Sequence, residues 1–264
     1  MSEKVIFREI AQRIEANGDP KLNAAVDFVA RLLDSPAGPS IARILLFGSV
    51  ARGEARPNSD VDVMTFGGLP LDDLKEYTAQ EAWEATVEWG EQVAQLTFGL
   101  GDLFQPRTYL VYNALKRGKE LYAMEEQEAR RLEAQNLYRK AQRHSEQARH
   151  ATVNQDFELA VVGAYTAAEL AAKALVLLKA GVDLPSTHGG LIQIFGREYI
   201  KTGEAPKHWG RMLSVGLESR GTALYNTAVM TDSRDAQTML DLAQEMLDFL
   251  EQKISPLSPN PPTT

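Results

Sequence analysis

The sequence predicts an α/β N-terminal half joined near residue 125 to an all-helical C-terminal half. A short, branched apolar run over 41–47, which fits a buried strand, and an alternating run over 61–66, which reads as a second strand, sit between helical patterns in the first half. From Glu126 onward the apolar residues recur at helical spacing with no strand-like run between them. The 264 residues are 44 % apolar and 24 % charged, the balance of soluble globular chains, and allow one large domain or two ordinary ones.

Taken in order, Val5, Ile6, Ile10 and Ile14 predict a first helix, which Asn17-Gly18 and Asp19-Pro20 end. A second covers 21–33, and Ser35-Pro36 with Gly38-Pro39 makes a loop. The strand 41–47 leads through Gly48-Ser49 to Val50-Ala51-Arg52, which opens a short helix, and 61–66 is the second strand. Residues 71–92 read as a helix with seven acids between Asp72 and Glu91 against Lys75, most simply a solvated face. A third strand over 93–98, a turn region over 99–106 and a helix over 107–122 complete the first half. In the second half, helices are predicted over 128–152, 157–180 (stopped by Gly181), 191–200 and 206–226, with a loop at 185–190. The last helix is marked by apolar residues from Ala236 to Ile254, capped from Thr231, Asp232 or Ser233. The tail, 255–264, is Pro-rich and expected to be disordered.

The net charge is −8, divided as −6 over 1–125 and −2 over 126–264, which argues against a bulk polyanion binder. One basic stretch stands out, with Arg130, Arg131, Arg139, Lys140, Arg143 and Arg149 against Glu133 and Glu146; it reads as a solvated face or an attractor of RNA phosphates. The absence of cysteine excludes disulfides, a thiol nucleophile and Cys-ligated zinc. A charged N-terminus and no long uncharged apolar run lead to the expectation of a cytoplasmic protein without a membrane partner.

Chemistry concentrates between residues 46 and 63. On a strand, Asp60 and Asp62 share one face, and two converging carboxylates repel unless a cation lies between them. Mg²⁺ takes hard oxygen ligands, commonly one or two carboxylates plus substrate phosphates. Gly48 permits close backbone approach, Ser49 adds a hydroxyl, the following amides point outward, and Arg52 lies one turn on. These parts suit a nucleoside triphosphate with its metal.

Gly48-Ser49, ten intervening residues and Asp60-Val61-Asp62 resemble the signature of the DNA polymerase β-like nucleotidyltransferase superfamily. The Ala51-Arg52-Gly53 and Ser59-Asp60 details resemble its minimal, kanamycin nucleotidyltransferase-like branch, over roughly 25–122. The resemblance implies an α+β fold with a mixed β-sheet over 1–125. It also implies transfer of a nucleoside monophosphate, AMP from ATP or another NTP by analogy, to a hydroxyl, with Mg²⁺ or Mn²⁺. Gly48, Ser49, Arg52 and Ser59 would bind the nucleotide, and Asp60 and Asp62 would be catalytic and hold the metal. The family usually adds a third carboxylate on the next strand. Residues 92–97 contain none, so Glu88 and Glu91 are the candidate replacements.

The second half, 126–254, resembles an all-α HEPN-like helical bundle, from the Ala-rich stretch 164–178, Thr187-His188-Gly189, 195–203 and 218–225. Such domains bind nucleotides or RNA, form homo-oligomers and occur beside transferases in toxin–antitoxin systems. Arg220 and Tyr225 mark the candidate HEPN site. Active HEPN ribonucleases place a His four to six residues after the Arg, and no His lies in that window here. By the same analogy Tyr225 is a candidate acceptor of AMP. The acceptor is left open among RNA, a small molecule and a protein side chain. A nucleotide-binding or RNA-acting role without turnover is the alternative. Remaining residues have structural readings: His188 as capping or packing, His144 and His150 on the surface, Trp83 and Trp89 in the core.

Overall fold

The computed structural model describes residues 18–255, apart from 227 and 229. The helix expected around Val5–Ile14 and the tail beyond Ser255 lie outside those residues. The chain divides into two compact units between Leu132 and Glu133.

In the first unit, α1 (Pro20–Asp34) opens on Asp19, whose side chain accepts the Lys21 amide, with Pro20 in the first turn. Its stripe of Ala24, Ala25, Phe28, Val29 and Leu32 is buried. The strands are β1 (Ile41–Leu46), β2 (Val61–Gly67), β3 (Val93–Gly99) and β4 (Lys119–Ala123). Between them lie α2 (Gly48–Arg52), α3 (Leu71–Trp89), α4 (Leu100–Phe104) and α5 (Tyr109–Arg117). The sheet order is β3-β2-β1-β4. β1 runs antiparallel to β2 and β4, and β2 runs parallel to β3, which makes the mixed sheet that the sequence led us to expect. Val61 and Val63 face the core shared with α1 and α3, while Met64 and Phe66 face α5 through Val111 and Ala114. A strand covered on both faces is apolar throughout, and in β2 the one position not fully buried is Asp62.

Three expectations are corrected in this unit. The helix expected over 107–122 ends at Gly118, where a Cβ would meet the Ala114 carbonyl oxygen at 2.5 Å, and the chain leaves as β4. The turn region 99–106 contains α4. Trp83 and Trp89 fall off the inward stripe of α3 (Leu74, Thr78, Ala82, Ala85) and are 66 % and 39 % exposed, so they are not core residues.

The second unit is helical, as expected: α6 (Glu126–Val153, begun in the first unit), α7 (Phe157–Leu177), α8 (His188–Phe195), α9 (Lys207–Tyr225) and α10 (Ser233–Ile254). By length and composition α7 is apolar enough to cross a bilayer. Here it is the central helix, packed against α8, α9 and α10. Small residues let the helices approach closely: Ala148, Ala151, Ala160, Ala164 and Ala236 share a core, and a Cβ on Gly163 would meet that of Ala148 at 3.1 Å. Phe195 stacks on Tyr199 and Trp209, and Phe249 meets both edge-on. Asp232 and Asp235 form a capping box at the start of α10. His188 opens α8 with Thr187 as its cap, so the loop expected over 185–190 is shorter by one helical turn.

Candidate active site

The end of β1, the single turn of α2 and the start of β2 meet through a hydrogen bond from the Phe47 amide to the Asp62 carbonyl, 3.0 Å. Gly48 follows with φ +70°, and a Cβ there would lie 1.9 Å from Asp62 Oδ2. Only glycine fits this position on both counts. The result is a backbone pressed against a carboxylate, which occupies the space a side chain would need.

Asp60 is exposed and Asp62 half-buried. Burial first, and the Asp60 charge second, push the Asp62 carboxyl above the usual carboxylate range, while Arg52 partly offsets them. A divalent cation between the two aspartates would relieve both effects. The donors are hard carboxylate oxygens, without thiol or imidazole, so the residues fit Mg²⁺ or Mn²⁺. Among the described residues no group of three or more His, Asp and Glu side chains gathers as a metal cluster. The Arg52 guanidinium donates to Glu54 at 2.6 Å on the surface. Gly53, at φ +73°, closes α2, and its amide returns to Ser49 and Val50. Ser59 has a local duty: its hydroxyl accepts the Arg56 amide at 2.9 Å and shapes the loop into β2.

The β2–β3 register explains the missing third acid. Asp62 pairs with Ala94 and Met64 with Leu96 on the parallel strand, and Phe66 stacks on Phe98. Ala94 and Leu96 therefore share the Asp62 face, and both are apolar. Neither proposed replacement stands there. Glu91 is ion-paired with Lys21, and Glu88 lies on α3 within the electrostatic reach of Arg31. The Lys21 ammonium also donates to the carbonyls of Pro57 and Ser59. The sequence reading missed this lysine; its signal is a charge on the apolar stripe of α1.

In the helical unit Arg220 and Tyr225 part company. Tyr225 ends α9 at 82 % exposure. Arg220 lies within electrostatic reach of the buried Tyr165 hydroxyl, which hydrogen-bonds to Glu169; burial foremost raises the Tyr165 pKa. Glu169 in turn is bonded to Nδ1 of the half-exposed His188. His188 is thus a paired residue at the head of α8 rather than its cap. Arg139, Lys140 and Arg143 are exposed along α6, whereas Arg130 is buried, paired with Glu126 and set over the Phe104 ring.

Residues 31–127 match the polymerase β nucleotidyltransferase family, and residues 134–253 match the HEPN domain family. A UPF0332 protein of Thermotoga maritima is 31 % identical over 104 residues, which are 39 % of this chain and 77 % of that protein. The crystal structure of TT1696 from Thermus thermophilus covers 46 % of this chain and 97 % of its own at 23 % identity, with a TM-score of 0.39. That of spectinomycin adenyltransferase AAD(9) from Enterococcus faecialis, with ATP and spectinomycin, covers 86 % and 98 % at 13 % identity, with a TM-score of 0.29. The match to most of the Thermotoga maritima protein and the two domain matches, in their order along the chain, have one meaning: the chain belongs to the UPF0332 protein's family and joins a polymerase β-type nucleotidyltransferase domain to a HEPN domain.

Proposed function

We propose that this protein transfers a nucleoside monophosphate, AMP from ATP in the first instance, to a hydroxyl acceptor and releases pyrophosphate. The observation that carries the reading is Gly48 held against Asp62, beside Asp60, inside the nucleotidyltransferase domain. Asp60 and Asp62 would hold Mg²⁺, which when bound supplies charge stabilisation at the phosphates and at the attacking and leaving oxygens. Gly48 admits the phosphate chain close to the backbone. Ser49 and Arg52 flank it as hydroxyl donor and cation. Ser59 keeps the loop in shape. The acceptor oxygen bonds to the α-phosphorus as the bond to the β-phosphate oxygen breaks, so one pyrophosphate leaves for each nucleotide transferred. RNA, a small molecule or the chain's own Tyr225 are the acceptors to try.

The test is pyrophosphate release and label transfer from α-labelled ATP with Mg²⁺, using the full chain and Asp60→Ala. Loss in the variant supports the assignment, and retention rejects it. Ala94 opposite Asp62 favours a second reading, a nucleotide sensor without turnover. Nucleotide binding with no pyrophosphate release from any acceptor distinguishes it.

A further inference from the structure

Lys21 sits on the buried stripe of α1, with Ala24, Ala25 and Phe28, and is 7 % exposed. An ammonium carries three donors, and burying one without partners is expensive. All three are met here: the Pro57 carbonyl at 3.1 Å, the Ser59 carbonyl at 2.7 Å and the Glu91 carboxylate. Two of these partners belong to the loop between α2 and β2 that ends in Asp60. The loop is otherwise exposed from Arg52 to Asn58.

The Ser59 carbonyl and the Asp60 amide form one planar peptide. Holding that oxygen fixes the plane from which Asp60 departs. One residue later the Val61 amide donates to the Gln92 carbonyl at 2.8 Å. Gln92 adjoins Glu91, so both sides of Asp60 are tied to the same two residues at the head of β3. Glu91 also neutralises Lys21, which would otherwise oppose a divalent cation at the neighbouring aspartates. A loop carboxylate left to wander loses the sub-ångström placement that a cation site needs.

We propose that Lys21, backed by Glu91, is a positioning residue that fixes Asp60 through the Ser59 carbonyl. The proposal rests on the reading of Asp60 and Asp62 as the metal and nucleotide ligands. It also gives Glu91 a different task from that of a third catalytic acid.

The test uses the full chain as wild type, Lys21→Met/Glu91→Met, Lys21→Arg and Glu91→Gln. The double variant removes both charges and leaves no lone ion buried, so folding and positioning separate. Amide hydrogen exchange at residues 60–62 reads the tether without any ligand. Electron paramagnetic resonance of Mn²⁺ with ATP reads the affinity. The expected result is a folded double variant whose exchange is at least tenfold faster and whose Mn²⁺–ATP affinity is at least tenfold weaker, with Lys21→Arg recovering part of both. Glu91→Gln shows the same changes to a smaller degree, and serves if the double variant fails to fold. A folded variant with wild-type exchange and affinity overturns the proposal. Wild-type exchange alone overturns the tether. A wild-type chain that does not bind Mn²⁺–ATP overturns the nucleotide-site reading and the positioning role with it, whatever the exchange shows.

Discussion

Replacing Asp62 by Asn tests the electrostatics of the site before any acceptor is known. Asp60 and Asp62 stand two residues apart, about 6.6 Å along a strand that rises about 3.3 Å per residue. Two unit charges at that distance repel by about 0.6 kcal/mol in water and about 2.5 kcal/mol at an effective dielectric of 20. Asp60 is exposed and Arg52 offsets part of the repulsion, so the relief is about 1 kcal/mol. Burial and Asp60 raise the folded-state pKa of Asp62. Its contribution to stability is therefore complete below the ordinary carboxylate range and is lost as the pH rises through the folded value. At pH 7 the ionised form burdens the fold, and Asn removes that burden without breaking a side-chain hydrogen bond seen among the described residues. Scanning calorimetry of the full chain with a chelator should show the first unit melting about 2–4 °C higher in the variant at pH 7, with the difference fading in acid. Mg²⁺–ATP at about 100 times its dissociation constant should add roughly 2.7 kcal/mol to the wild type and nothing to the variant. A variant less stable than wild type without ligand, or equally stabilised by Mg²⁺–ATP, refutes the reasoning.

Three further outcomes follow from the same geometry. Gly48→Ala places a Cβ 1.9 Å from Asp62 Oδ2 at φ +70°; the left-handed backbone alone costs about 1–2 kcal/mol, and thermal melts should show this loss together with no response to Mg²⁺–ATP. Ala94→Asp restores a third carboxylate beside Asp62; it should lower ligand-free stability by about 1 kcal/mol through repulsion and raise the rate of pyrophosphate release, and an unchanged rate would mean that the missing acid does not limit turnover. Glu245 is held below the usual carboxylate range, first by the Trp209 indole N–H at 2.7 Å and then by His208; that stability is present above about pH 4.3 and is lost as the pH falls through the lower folded value, so circular dichroism melts of Glu245→Gln should depend less on pH between about 5 and 3.

The legible parts of the fold were those in which one local signal decides. A branched apolar run gave β1, alternation gave β2 and the Asp232 cap bounded α10, whereas α7 ends at Leu177, before the Gly181 expected to stop it. β4 was not legible, because Lys119-Glu120 gives an edge strand no apolar alternation and its pairing with β1 is long-range. The Ala94 position needed the β2–β3 register, which no local pattern supplies. Trp83 was misjudged by residue type, since a large aromatic is usually buried but α3 already fills its inward stripe with Leu74, Thr78, Ala82 and Ala85. Glu169 and His188 come together only because α7 and the head of α8 fold against each other, 19 residues apart.

Gly48 and Asp62 argue most directly for a ligand at this site, because nothing in the fold itself profits from their arrangement. β1 could pass into α2 through any residue of ordinary φ, yet this chain adopts a left-handed turn there. β2 could carry an apolar residue at position 62, as it does at Val61, Val63, Met64 and Phe66, yet it carries a half-buried acid within electrostatic reach of a second acid. The charge at Asp62 burdens the isolated fold, and Asn removes it, whereas the left-handed turn at Gly48 admits glycine alone. The two choices share one consequence, a bare carboxylate oxygen beside a backbone with no side chain in the way. Strain of this kind persists where a bound group offsets it. Lys21 and Glu91 belong to the same economy of form: a buried ion pair adds little to stability, and its geometry ends on the peptide that carries Asp60. This arrangement supports the proposed reading of Asp60 and Asp62 as cation ligands.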